Sequence, residues 1–145
     1  VVFLTRIKQS GFSLIELLVV VAIIGALAAI GTFAYNGYVE GARKTSAQNA
    51  MQQIALMQTE HYSITGGYYG TASCNPTEAL TTEINTTLFD VGADEENVIE
   101  VERYEFCVQH EIEDGVKVGF LIKACNTQKD CTEVLTLNSK GANNF

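Results

Sequence analysis

The spacing of apolar and polar residues changes character along this chain. From Leu17 to Tyr35, nineteen residues pass without a formal charge. As a helix rising ~1.5 Å per residue they span roughly 28 Å, close to the hydrocarbon thickness of a bilayer. The run is apolar on every side, as a membrane span or a helix buried in a bundle must be. Further on, Ala47, Ala50, Ile54, Met57 and His61 recur at helical spacing, as do Val39, Ala42 and Ser46. Arg43, Lys44, Gln48, Gln52 and Glu60 fall largely on the other side. Both halves read as one helix from Phe12 to about Thr65, ended by Gly66-Gly67. Such length exceeds the globular mean and suits a span that continues into a packed helix. Gly25, Gly31, Gly37 and Gly41 interrupt it. Small residues let helices in a membrane approach closely; partial unwinding is the other use for them.

Beyond the helix the period is weak until Tyr104. A short helix is expected near Pro76–Leu80, with Asn75 as N-cap, Pro76 at the first position and Glu78 at the third. Then the period becomes two. Tyr104, Phe106, Val108, His110 and Ile112 alternate with Glu105, Cys107, Gln109 and Glu111. Asp114-Gly115 follows, a pair favoured in two-residue hairpin turns. Val116, Val118, Phe120 and Ile122 then point inward from a second strand. A loop leads to a third strand, "CTEVLTL", and the polar tail "NSKGANNF" is expected to be exposed. The result is an α+β fold: a long N-terminal helix, apolar then amphipathic, packed against a C-terminal antiparallel sheet of three to four strands. The expected organisation is a basic leader over 1–11, an apolar helix over 12–36 and a head over 37–145. The head divides into helix 37–65, connecting loop 66–100, sheet 101–138 and tail 139–145.

Charge and cysteine then place these parts. Before Glu16 the only charged residues are Arg6 and Lys8. Basic residues ahead of an apolar span put the N-terminus in the cytoplasm and the head across the membrane. Four cysteines, all beyond the apolar run, fit an oxidising compartment. No CxxC motif occurs, and the Cys and His spacings match no common zinc site. Cys125 and Cys131 flank a five-residue loop, which makes a local bridge easy and leaves Cys74 to pin Cys107. The rival pairing is Cys107–Cys125 with Cys74–Cys131. The first residue is Val1 rather than Met, which an alternative start codon or truncation would each explain.

Glu16 is the anomaly, a carboxylate near the start of a hydrocarbon-length run, where charge is costly. If the chain is cut between Gly11 and Phe12, the new α-amine lies within helical reach of Glu16. In a bundle of such helices, Glu16 of one chain could meet the amine of its neighbour. The acid then sets the register between subunits, as a buried polar residue does in a coiled coil. The bland alternative is a carboxylate sitting at the membrane interface.

The basic leader, Gly11 and "FSLIELLVVVAIIGALAAI" resemble the class III signal of the type IV pilin family. The resemblance implies cleavage after Gly11 by a prepilin peptidase, N-methylation of Phe12 and an assembly role for Glu16. "ARKTSAQNAMQQIALMQTEHYSITGGYYG" and "CTEVLTLNSKGANN" are similar to the helix end and closing strand of PilE-like pilins; Thr71 to Glu102 matches no part of the family. Many relatives carry a helical proline where this chain has Phe33, so a proline kink is not expected. The family implies a type IV pilin fold and a precursor held in inner-membrane lipid. It also implies assembly with identical or other pilins into an extracellular filament for adhesion, twitching motility or DNA uptake. A secretion pseudopilin and a DNA-binding minor pilin are the alternatives. No enzymatic activity, metal or cofactor is expected.

The remaining candidates are weaker. Between Asn75 and Asp114 twelve acids face one base, Arg103, whereas Gly115 to Phe145 holds four lysines against two acids. Such segregation would steer neighbouring heads together, or it is solvated surface. Asp90, Asp94, Glu95 and Glu96 are hard-cation ligands by type but fit no calcium-loop spacing. Without Arg6 and Lys8, seven bases meet seventeen acids, a field that opposes DNA unless Lys117, Lys123, Lys129 and Lys140 gather. His61 and His110 read as packing residues. Asn85-Thr86-Thr87 is formally a glycosylation sequon.

Overall fold

The computed structural model describes residues 11–92 and 94–145, apart from the Phe33 side chain, so the leader residues 1–10 lie outside the described residues. In chain order the elements are α1 (Leu14–Thr65), α2 (Glu78–Leu88), β1 (Tyr104–Glu113), β2 (Val116–Asn126), a 3₁₀ turn (Thr127–Lys129) and β3 (Val134–Asn138). The fold is α+β, a long helix and a three-stranded antiparallel sheet ordered β1-β2-β3. Two compact units divide between Val39 and Glu40.

In the first unit, the described side chains of α1 are exposed up to Tyr38: Leu14, Ile15, Leu17, Leu18, Ile24, Leu27 and Ile30 all face outward. It is long and apolar enough to cross a membrane, with a mean hydropathy of 2.7 over its most apolar window. Among the described residues none of these side chains is buried; a helix satisfies its backbone groups locally, which is what a hydrocarbon surrounding would require of it.

In the second unit, α1 lays Ala47, Ala50, Met51 and Ile54 into one core with Ile84 and Leu88 of α2 and with Phe106, Val108, Phe120, Ile122, Leu135 and Leu137 of the sheet. The expected stripe of Ala47, Ala50 and Ile54 is buried, with Met57 and His61 half-buried, but its limits differ. Ala42 and Ser46 are exposed, Met51 and Gln58 are fully buried, and Arg43 and Lys44 are half-buried. Long basic stems reach across to acids on other elements: Arg43 Nη2 lies 2.7 Å from Glu102, and Lys44 Nζ lies 2.8 Å from Glu133. Proximity to the Arg43 guanidinium holds the Glu102 carboxyl below the usual carboxylate range.

The hairpin turns at Asp114-Gly115, with φ of 51° and 81°, the positive pair that a type I′ turn requires. A bulge at Glu111/Ile112 shifts the register just before it. Ile112, Val116 and Val118 are exposed, so the inward face of the hairpin begins only at His110 and Phe120. The sheet outruns the elements that cover it, and alternation alone could not reveal where that cover stops.

The third strand starts at Val134 rather than Cys131, because Asn126, which accepts from the backbone N–H of Gln128 at 3.0 Å, first opens a 3₁₀ turn. The tail folds back on β3, with Asn144 N–H donating to Thr136 C=O at 3.3 Å and Asn138 N–H to Ala142 C=O at 3.0 Å. The short helix also differs from expectation. Its N-cap is Thr77, whose hydroxyl accepts from Leu80 N–H at 3.3 Å, and it runs on to Leu88. Thr81, Ile84, Asn85 and Leu88 form the inward stripe that carries it past Leu80.

Gly119 sits where β2 meets the start of the tail. A Cβ there would collide with Ser139 Oγ and come within 2.8 Å of Glu111 Oε2, the two atoms joined by a 3.0 Å hydrogen bond. Gly119→Ala is expected to turn the Ser139 hydroxyl away from Glu111 and to destabilise the head by about 1 kcal/mol, the typical worth of that hydrogen bond. Chemical denaturation of wild type and variant measures the difference, and equal midpoints would contradict it.

Candidate processing and assembly site

Three residues before α1 set the local geometry. Gly11, Phe12 and Ser13 are non-helical and exposed, Phe12 by 84%. The helix begins at Leu14 because Ser13 and Glu16 cap it reciprocally. Ser13 Oγ accepts from Glu16 N–H at 3.3 Å, while Glu16 Oε2 accepts from Ser13 N–H at 2.9 Å and Ser13 O–H at 2.7 Å. This is a capping box, S-x-x-E, which satisfies the donors that a helix start leaves open. Ser13 is the residue the sequence reading passed over, although the motif directly ahead of the apolar run signals it.

The consequence is chemical. The Gly11–Phe12 amide lies outside the helix, just ahead of its capped start, and among the described residues no atom would lie within 4 Å of a Cβ at Gly11. Both capping bonds fall on Oε2, and among the described residues Oε1 of Glu16 has no hydrogen-bond donor. The acid thus has a local role and a remaining acceptor. Hydrolysis of the amide would place an ammonium one residue before Ser13.

The head is covalently tied. Cys74 is bonded to Cys107 across a separation of 33 residues, and Cys125 to Cys131 across 6. The second bridge closes a turn whose Lys129 lies 3.1 Å from both Glu40 and Glu133, while Asn126 donates to Glu40 at 3.1 Å. Those two acids hold the Lys129 ammonium above its ordinary pKa.

Two buried amides fasten the connecting segments. Gln58 donates to Tyr69 C=O and accepts from Tyr69 N–H, each at 2.9 Å. Asn85 donates to Thr81 C=O at 3.0 Å and Ile99 C=O at 2.9 Å, and accepts from Ile99 N–H at 2.7 Å. The sequon asparagine is therefore fully buried and its amide fully engaged, which removes it as an acceptor in the folded chain.

Two of the four C-terminal lysines are engaged within the head. Lys123 donates to Gln109 at 2.7 Å and to Cys74 C=O at 3.4 Å, and Lys129 is committed to its two acids. Among the described residues, no three His, Cys, Asp or Glu side chains gather as a metal site. Asp90, Asp94, Glu95 and Glu96 stay dispersed, with Glu95 accepting from Gly92 N–H at 3.0 Å.

Comparison with known proteins bears on the N-terminal end. Residues 6–32 match the prokaryotic N-terminal methylation motif. The chain is also 45% identical over 58 residues to the fimbrial protein EcpC of Eikenella corrodens. That match covers 40% of this chain and 38% of the relative, so the chain spans under two fifths of that protein's length. No solved structure matches the chain.

Proposed function

We infer that this chain is a type IV pilin, and on that premise we propose that it is a structural subunit drawn from a membrane into a helical filament. The observation that carries the proposal is the apolar half of α1, most of it inside the matched methylation motif and exposed among the described residues. An all-round apolar helix must be covered. Lipid covers it in the precursor, and the same segments of neighbouring chains cover it in the filament.

Processing follows from the N-terminal geometry. Hydrolysis between Gly11 and Phe12 by a prepilin peptidase leaves a carboxylate on the leader and an ammonium on Phe12, which is then N-methylated. The cation answers Glu16, through the oxygen that the capping box leaves open. Arg6 and Lys8 keep the leader cytoplasmic and the disulfide-tied head outside the membrane. Chemistry is done to this chain by its peptidase; the filament is its product. Adhesion or motility suits such a fibre, and the excess of acids over bases beyond Phe12 weighs against a DNA-binding role.

Intact-mass and N-terminal analysis of the protein from its native source tests the reading. The expected mature chain begins with N-methylated Phe12 and appears in sheared surface fibres. A mature chain retaining residues 6–11 would overturn it.

A further inference from the structure

The sheet has two outer strands, β1 and β3, and an uncovered strand edge is a template for pairing with another chain. Residues outside the sheet occupy both edges. On β1, Thr81 Oγ1 of α2 accepts from Phe106 N–H at 2.9 Å. Further along the same edge, Thr71 N–H donates to Val108 C=O at 3.0 Å and His110 N–H donates to Thr71 C=O at 2.8 Å. These covering residues are themselves anchored, α2 by its buried stripe and the connecting segment by the Cys74–Cys107 bridge.

The edge of β3 is covered differently. The chain beyond it turns at Gly141, with φ of 79°, and comes back antiparallel alongside. Asn144 makes most of the contact. Its Oδ1 accepts from Thr136 N–H at 2.7 Å, its Nδ2 donates to Val134 C=O at 3.0 Å, and its own N–H donates to Thr136 C=O at 3.3 Å. One residue thus satisfies three backbone groups that a further strand would otherwise take. Asn138 N–H donates to Ala142 C=O at 3.0 Å. Residues 140–145 are all exposed. Hydrogen bonds within reach of water hold this cover, and water competes for each of them.

We propose that Asn144 guards the β3 edge against β3 of a second copy of this chain, and that displacing it lets two heads join antiparallel through those strands. Beneath the guard lies "VLTLN", residues 134–138, which is rich in strand formers and carries no charge, glycine or proline. Two copies therefore meet there without opposing like charges. The neighbouring acid, Glu133, is already paired with Lys44 and Lys129. Thr136 fixes the register, because its N–H and C=O both face the edge. It would lie opposite the same residue of the other copy and exchange both hydrogen bonds, with the Cα atoms about 5.5 Å apart. Val134 C=O would then accept from Asn138 N–H across the pair. Every backbone group that the guard now satisfies finds a partner, about a two-fold axis. The guard is a property of the head and stands apart from the filament reading.

Thr136→Cys reports this contact, since the expected Cα separation lies within disulfide reach. The full chain in detergent micelles is oxidised with glutathione disulfide and run on a non-reducing gel, carrying Thr136→Cys alone, with Asn144→Ala or with Asn143→Ala. The Asn143 side chain makes no hydrogen bond among the described residues, so its loss is the control. Covalent dimer bridged at position 136, as peptide mapping assigns it, should rise about fivefold or more with Asn144→Ala, the factor for one lost hydrogen bond. Asn143→Ala should leave it unchanged. Association through the apolar helices would raise all three alike. Equal yields from the three proteins, or a bridge mapped to other positions, would overturn the guard. Should Asn144→Ala fail to fold, Asn144→Asp takes its place, because it keeps the acceptor for Thr136 N–H and loses the donor to Val134 C=O.

Discussion

Glu16→Ala is expected to leave cleavage after Gly11 intact and to cut the yield of assembled fibres by about tenfold or more, since a stranded opposite charge in an apolar core is strongly destabilising. The structure shows this acid capping Ser13; answering the amine made by cleavage is the second function proposed for it. Two further variants part them. Glu16→Gln keeps a capping box, because glutamine serves at the third helical position, but it cannot neutralise an ammonium. Ser13→Ala removes the cap, at a typical cost of about 1 kcal/mol, and keeps the charge. If charge pairing governs assembly, Glu16→Gln should fail almost as badly as Glu16→Ala, and Ser13→Ala should still form fibres. Immunoblots of cell-associated and sheared fractions measure cleavage and yield together. Normal fibres from Glu16→Gln would reduce the acid to a helix cap.

Replacing Cys74 and Cys107 together by serine is expected to destabilise the head by about 3–4 kcal/mol, from the chain entropy that a closed loop of this length removes from the unfolded state. The loop holds α2 and the acidic stretch, whose other attachments to the core include the inward stripe of α2, the amide of Asn85 and the Arg43–Glu102 pair. Replacing Cys125 and Cys131 should cost less, about 2 kcal/mol, because that loop is short. Its loss should instead loosen Lys129 and Asn126 from Glu40. Urea unfolding of the full chain in micelles ranks the two. A larger loss from the short bridge would show that the ion pairs around Lys129 outweigh loop entropy here.

Periodicity carried most of the architecture because each element lies between unlike environments. The apolar run, the hairpin with its Asp114-Gly115 turn and the third strand all follow from which side chains must leave water. Ser13 was legible too, through S-x-x-E, but the anomaly of a lone carboxylate drew attention to its distant partner and away from its nearest one. Gln58 and Asn85 were not legible. An amide on an amphipathic helix reads as a solvent-facing position, and only the return of another segment's backbone N–H and C=O gives its burial a reason. Thr77 replaced Asn75 as the cap of α2 on the same principle, since any of several polar residues can cap and packing of Ile84 and Leu88 selects the register.

The sequence by itself determined the membrane-length helix, the capped start beyond Gly11, and a head of antiparallel strands, because these depend on local propensity and on the period with which oil and water alternate. Tertiary structure alone decided which lysines are spent on internal acids, which amides are buried and where the covered face of the hairpin ends. Those outcomes rest on contacts between residues far apart in the chain. A side chain's hydration and charge state are set by what packs against it, and composition and spacing do not encode that neighbour.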